Sequence, residues 1–354
     1  MRSPTQSQGG RAPSGARRRS GTARKRGRPT WIRRLRFDPL PALLASPNPC
    51  LAYFVRRDLL EEDPGPARLL WALPELERIL RRQLPDGSWP YPGGGVPRYR
   101  DFEDYAQIET YRMLGILVEK FAATRRLPGL GRAAEFMFTR QTAAGDFRGI
   151  YGRQYTPNYS AGILELLVKA GYGRDPRVGR AFAWLLSIRQ DDGGWAIPML
   201  TRRGRWDQPS LSLPALAPDR ARQASHMVTG VVLRAFAAHT RFRRSSAARR
   251  AAELLADRLF ARDAYPGRDA PSFWIGFNFP FWFTDLLSAL DSLTQVGADL
   301  GHPKIAEAYA WFSRQQAADG TWRLHALRGS DPDTPLWISL AICRVFRRRA
   351  EVAG

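Results

Sequence analysis

One short turn recurs in this chain and limits what the chain can become. Gln190-Asp191-Asp192-Gly193-Gly194-Trp195 is a Gln, a polar spacer, a Gly, one further residue and a Trp. Gln83 leads to Gly87 and Trp89 in the same way, Gln316 leads to Gly320 and Trp322, and a weaker copy runs from Gln141 to Gly145 and Phe147. Apolar-striped stretches come first: Ala181, Trp184, Leu185 and Ile188 before one copy, Ile305, Ala308, Tyr309 and Phe312 before another. That i, i+3, i+4, i+7 spacing puts the apolar side chains on one helix face. Gly suits the left-handed position past a helix end. Trp offers a flat apolar cover for that end, and the Gln amide can lie on the ring while bonding nearby backbone. Three good copies and one degenerate copy make an internal repeat.

Two kinds of helix alternate between the turns. Stretches 66–83, 129–141, 176–190, 246–260 and 302–316 are amphipathic. Stretches 47–62, 105–121, 157–171, 225–239, 281–296 and 334–347 are apolar nearly all round, and a helix apolar on every side is buried on every side. The second set therefore reads as an inner ring and the first as an outer ring. Residues 31–46, with Trp31, Ile32, Leu35 and Phe37, offer a partial sixth outer helix. The expectation is an all-α fold, a single α/α toroid over 31–354, with residues 1–30 a disordered Arg-rich tail. The fourth repeat lacks a clean turn after Phe260, and residues 199–222 form an aperiodic insertion of the length that functional lids use.

Charge separates tail from body. The formal net charge of +22 includes twelve Lys and Arg within residues 1–36, where no Asp or Glu occurs, so removing that segment leaves +10. The tail is a solvated arm or an electrostatic contact with an anionic membrane surface; nucleic acid is the less favoured partner. Two cysteines, Cys50 and Cys343, cannot build a disulfide framework and fit a reducing compartment. No apolar run has the ~18 residues of a membrane span, and no apolar segment of a secretory signal follows the N-terminal charge, so a cytoplasmic protein is expected, peripheral on a membrane at most. No P-loop, G-x-G-x-x-G, H-E-x-x-H or G-x-S-x-G pattern occurs.

If the inner helices start at one mouth, their first residues share a ring. Aligning them by small and apolar residues puts Glu109, Asn158, His226, Trp282 with Asp285, and Asp333 there. Plain structural readings exist for several. Asp333 and Asn158 sit at the start of helices beside Pro, as caps do, and His226 has the ordinary alternative of a satisfied structural histidine. Glu109 and Asp285 are placed inside strongly apolar helices, where an unpaired carboxylate is costly.

The Gln-Gly-Trp turns resemble the QW motif of the squalene cyclase and protein prenyltransferase superfamily, whose members fold as α/α toroids; the resemblance covers roughly 47–348. It implies more for Asp331-Pro332-Asp333-Thr334. Class II terpene cyclases carry a D-x-D-D motif, often followed by Thr, in which one Asp protonates an alkene or epoxide. This chain has D-x-D-T, without the third Asp. By that resemblance Asp333 is the acid and Asp331 its partner; the ring alignment adds His226, Glu109 and Asp285 as further catalytic candidates. Phe281, Trp282 and Trp337 would line a cavity, since aromatic faces stabilise cations, although packed aromatic loops are the commoner use of such residues. Tyr155, Asn158 and Arg153 are further substrate-binding candidates, and Arg153, Arg112 and Arg234 are available for a diphosphate. The D-x-C zinc pair of the prenyltransferase branch does not occur, so no metal or cofactor is expected. The leading functional expectation is a terpene-cyclase-like enzyme acting on an apolar, isoprenoid-like small molecule. The alternatives are a non-catalytic toroid that binds a lipid, peptide or protein, and a carbohydrate-active barrel using Glu109 and Asp285.

Overall fold

The structure, a computed structural model, describes residues 29–92, 104–204, 211–327 and 331–352; nearly all of the expected tail lies outside these. The chain opens on a 3-10 turn, Thr30–Arg34, and continues through α1 (Leu40–Leu44), α2 (Pro49–Leu59), α3 (Pro74–Arg81), α4 (Tyr105–Phe121) and α5 (Pro128–Thr139). It goes on through α6 (Pro157–Leu167), α7 (Pro176–Ser187), α8 (Pro198–Arg203), α9 (His226–Ala238), α10 (Ser246–Asp257), α11 (Leu286–Val296), α12 (Pro303–Arg314) and α13 (Thr334–Val352). Pro opens many of these helices, where its missing N–H costs nothing and its fixed φ fits the first turn.

The helices α2, α4, α6, α9, α11 and α13 each pack on the next, and α13 packs back on α2. This closes the inner ring. Outside it, α3, α5, α7, α10 and α12 each lean on an inner helix, while Thr30–Arg34 covers α13 and α1 covers α2. Residues 31–46 thus complete the outer wall at the seam. The fold is an all-α toroid. The described residues contain no strand, only isolated bridges such as Gln141 to Phe147 and Gln316 to Trp322, both within the repeated turns. No helix among them is long and apolar enough to cross a membrane.

Each turn joins three elements. The Trp indole donates to a carbonyl ten residues back in the preceding outer helix: Trp89 Nε1 to Ile79 O (2.8 Å), Trp195 to Leu185 O (2.7 Å), Trp322 to Phe312 O (2.7 Å). The backbone N–H of the same position donates to a hydroxyl on the next inner helix: Thr110, Ser160, Thr229 and Ser339 for Trp89, Phe147, Trp195 and Trp322. The Gln amide reaches the neighbouring outer element. Gln83 Nε2 donates to Gly129 O (2.7 Å), Gln141 to Arg177 O (2.8 Å), and Gln316 to Phe37 O across the seam (2.9 Å). Gly320, at φ +83°, has a second reason to lack a side chain, because a Cβ there would stand 2.3 Å from Asp38 O.

Three expectations change. Stretch 66–83 is not one helix: Ala67–Ala72 is a 3-10 turn, and Leu73 is extended ahead of Pro74, as a residue before Pro must tend to be. The expected inner helix 281–296 begins only at Leu286, where Asp285 and Ser288 form a capping box. Phe281 and Trp282 therefore lie in the loop before α11. The fourth repeat does have its indole bond. Trp274 Nε1 donates to Ala261 O (2.9 Å) from a longer connection than the motif spacing allows.

Candidate active site

A cavity of about 650 Å3 lies between α2, α4 and α13. Its wall includes Asp331 and Asp333, Cys50 at the start of α2, Lys120 and Tyr111 of α4, and Phe279, Phe281, Trp282 and Trp337. Six candidates read from the sequence thus share one chamber: Asp331, Asp333, Phe281, Trp282, Trp337 and Arg112.

The two aspartates are held differently. Lys120 forms an ion pair with Asp331 Oδ2, and Asp331 Oδ1 accepts the Asp333 N–H (2.9 Å). Burial pushes the Asp331 carboxyl up, but the bond and charge of Lys120 and the Asp333 N–H outweigh it and leave Asp331 below the ordinary carboxylate range. Asp333 Oδ2 accepts from Asn48 Nδ2 (2.7 Å). Asn48 is itself fixed, because its Oδ1 caps α2 by accepting from Cys50 and Leu51 N–H. Asp333 takes part in no cationic pair among the described residues. Cys50 lines the chamber as a neutral thiol, since burial, reinforced by Glu75, pushes it up to about 12.

The aromatic wall is continuous. Phe279 stacks on Trp337 (centroids 5.4 Å apart, 6° between planes) and meets Phe281 edge-on at 5.8 Å. Trp282 lies against Tyr111 at 4.5 Å. Lys120 Nζ stands 5.5 Å from the Trp337 ring centroid, so a cation already rests on that face. Lys120 and Asn48 are the residues sequence reading missed. Both act over long separations, 211 residues to Asp331 and 285 to Asp333, and no local pattern announces them.

The other candidates lie elsewhere. Glu109 is buried as expected but not unpaired: Arg112 closes on it with both Nε (2.8 Å) and Nη2 (2.6 Å). Arg112 itself lines the chamber. Asp285 is not inside a helix; it caps α11, with Oδ1 accepting from Ser288 N–H (2.7 Å). Burial raises its carboxyl to about 6, and its Oδ2 has no hydrogen-bond partner among the described residues. His226 opens α9, stacks on Trp274 at 4.9 Å and stands 3.5 Å from Asp263. Burial lowers its pKa. Asn158 is the second residue of α6 rather than its cap, which is Thr156. Tyr155 packs edge-on against Trp184 (5.4 Å) and Arg153 is exposed, its N–H donating to Leu211 O. Part of the insertion is tied to the body, since Gln154 bonds Leu213 O, Pro214 O and Leu216 N–H. No three His, Cys, Asp or Glu among the described residues gather as a metal site.

The chain matches no family model and no curated protein. Solved structures with a similar course include a protein from Actinoplanes (16% identity, TM-score 0.40, covering 90% of this chain and 98% of that one). Others are the apo type II terpene cyclase MstE from Scytonema (12%, 0.36, 86% and 99%) and a polysaccharide lyase (12%, 0.41, 86% and 90%). Overlaps this loose carry no argument about activity.

Proposed function

We propose that this protein is an isoprenoid-handling enzyme of the terpene-cyclase kind, in which Asp333 protonates an alkene or epoxide inside an apolar aromatic chamber. One observation carries the reading: Asp333 shares a cavity of about 650 Å3 with Phe281, Trp282 and Trp337. That volume falls in the ~300–1,000 Å3 range of small-molecule sites. Asp331 is committed as an anion to Lys120, whereas Asp333 faces the neutral amide of Asn48 and is the acid of this reading. Asn48 holds one Asp333 oxygen, and in this reading the other faces the substrate. Proton transfer from Asp333 to a double bond leaves a carbocation, which the faces of Trp282 and Phe281 can accompany until ring closure and loss of a proton.

A second reading is a non-catalytic toroid that binds an apolar ligand. Lys120 favours it, because its ammonium occupies the neighbourhood of Trp337 that a carbocation would otherwise use. Nothing in the site favours the carbohydrate reading, with Glu109 closed by Arg112 and Asp285 capping α11.

Incubation with polyprenyl diphosphates and terminal epoxides, followed by product analysis, tests the proposal. Cyclised product is expected, reduced about 100-fold or more in Asp333→Asn, the usual scale for removing a general acid. Product unchanged in that variant removes Asp333 from the mechanism. Tight binding without turnover supports the second reading.

A further inference from the structure

The loop that lines the chamber also closes it. On the far side lies a second cavity of about 510 Å3 whose wall is ionic, with Arg57, Asp58, Lys169, Asp291, Arg344 and Arg348 among its residues. Its charges are mutually paired: Asp58 with Arg57 and Arg344, Asp291 with Arg348, Lys169 with Glu119. Phe279 and Phe281 are the residues common to the walls of both cavities. Their rings stand edge to face, and Phe279 is backed by Trp337.

A buried brace holds this partition. Arg234, 2% exposed on α9, donates from Nη1 to Phe283 O (3.0 Å) and lies 5.9 Å from the Phe281 ring. Glu165 anchors Arg234 through Nε (2.9 Å), and Lys169 bonds both Glu165 and Glu119 (2.6 Å each). Such a chain of buried charges is expensive unless paired, and all but one donor, Arg234 Nη2, finds a partner among the described residues. Here it spans α4, α6 and α9 and ends on the backbone of the aromatic loop.

We infer that Phe279 and Phe281 form a septum between an apolar chamber and an ionic one, and that their rings set how far an apolar chain reaches into the toroid. The inference rests on the proposed reading in one respect, that the apolar chamber takes an isoprenoid-like chain. An apolar chain gains affinity with each methylene it buries, about fourfold. That gain stops at the rings, because a tip pushed beyond them meets the ion pairs of Asp58, Asp291 and Lys169. Phe281→Ala deletes six ring carbons, room for about one five-carbon unit, and Phe281→Trp adds bulk in the same place.

The test is titration of linear C10, C15, C20 and C25 prenols into the whole protein, read by fluorescence of the chamber tryptophans. In the wild type, affinity should rise with length and then level off. In Phe281→Ala the levelling point should move up by one unit, with at least a tenfold gain for the first prenol beyond the wild-type limit. In Phe281→Trp it should move down by one unit. Circular dichroism checks folding, and Phe281→Leu, which removes three carbons, serves in place of the Ala variant if that does not fold. Folded variants that keep the wild-type limit overturn the septum while leaving the chamber reading intact. A wild type that binds no prenol overturns both.

Discussion

Asp331 and Asp333 are two positions apart yet chemically unlike, and the difference lies in what faces each. Lys120 holds Asp331 ionised, while Asp333 accepts from the neutral amide of Asn48. The pair was legible in the sequence as D-x-D-T. Its asymmetry was not, because Lys120 and Asn48 arrive from α4 and the start of α2 only once the ring has closed. Asp285 shows the reverse case, a residue singled out for being buried and now explained as a cap whose second oxygen is unpaired. Its folded pKa of about 6 lies above the unfolded value, about 3.9. A raised carboxyl contributes stability that is full below the unfolded value and lost as pH rises through the folded one. The stability of Asp285→Asn relative to wild type should therefore improve by about 2 kcal/mol between pH 4 and pH 7. Denaturant titrations at the two pH values measure this; an unchanged difference would mean that Asp285 does not titrate in that window.

Among the elements, the repeated turn is the unit that builds the toroid. Its Gln, Gly and Trp were visible as a pattern, and so were the helices they end. The hydroxyls that receive the Trp N–H, such as Thr229 and Ser339, were also present in the sequence but unremarked within apolar helices. Trp274 escaped notice because the connection after α10 is longer than in the other repeats. The glycine was only half understood. Gly204 also has positive φ (+70°), but nothing among the described residues lies within 4 Å of a Cβ placed there, whereas at Gly320 the Asp38 backbone does. Gly204→Ala should thus cost about 1 kcal/mol, the strain of a left-handed residue. Gly320→Ala should cost about 2–4 kcal/mol, because backbone must also move. Equal unfolding midpoints for the two variants would show that close approach to the first outer segment is not what Gly320 serves.

For the molecule as a whole, closure is what turns six separate apolar helices into a chamber. Gln316 bonds Phe37 over a separation of 279 residues, and α13 packs on α2, so the site at Asp333 and Asn48 exists only because the two ends of the ring meet. The alternation of helix types made the double wall legible in the sequence. The division of the interior into an apolar and an ionic chamber was not legible, because it depends on where the Asn278–Phe283 loop crosses the barrel. The central claim is that this closed ring encloses an apolar chamber with Asp333 in its wall. A crystal structure of the protein soaked with 1-bromododecane, with bromine located by anomalous scattering, tests that claim most directly. The account predicts bromine in the apolar chamber, within contact of Trp282, Phe281 or Trp337; bromine confined to the ionic cavity or the outer surface, or an inner ring left open between α13 and α2, would contradict it.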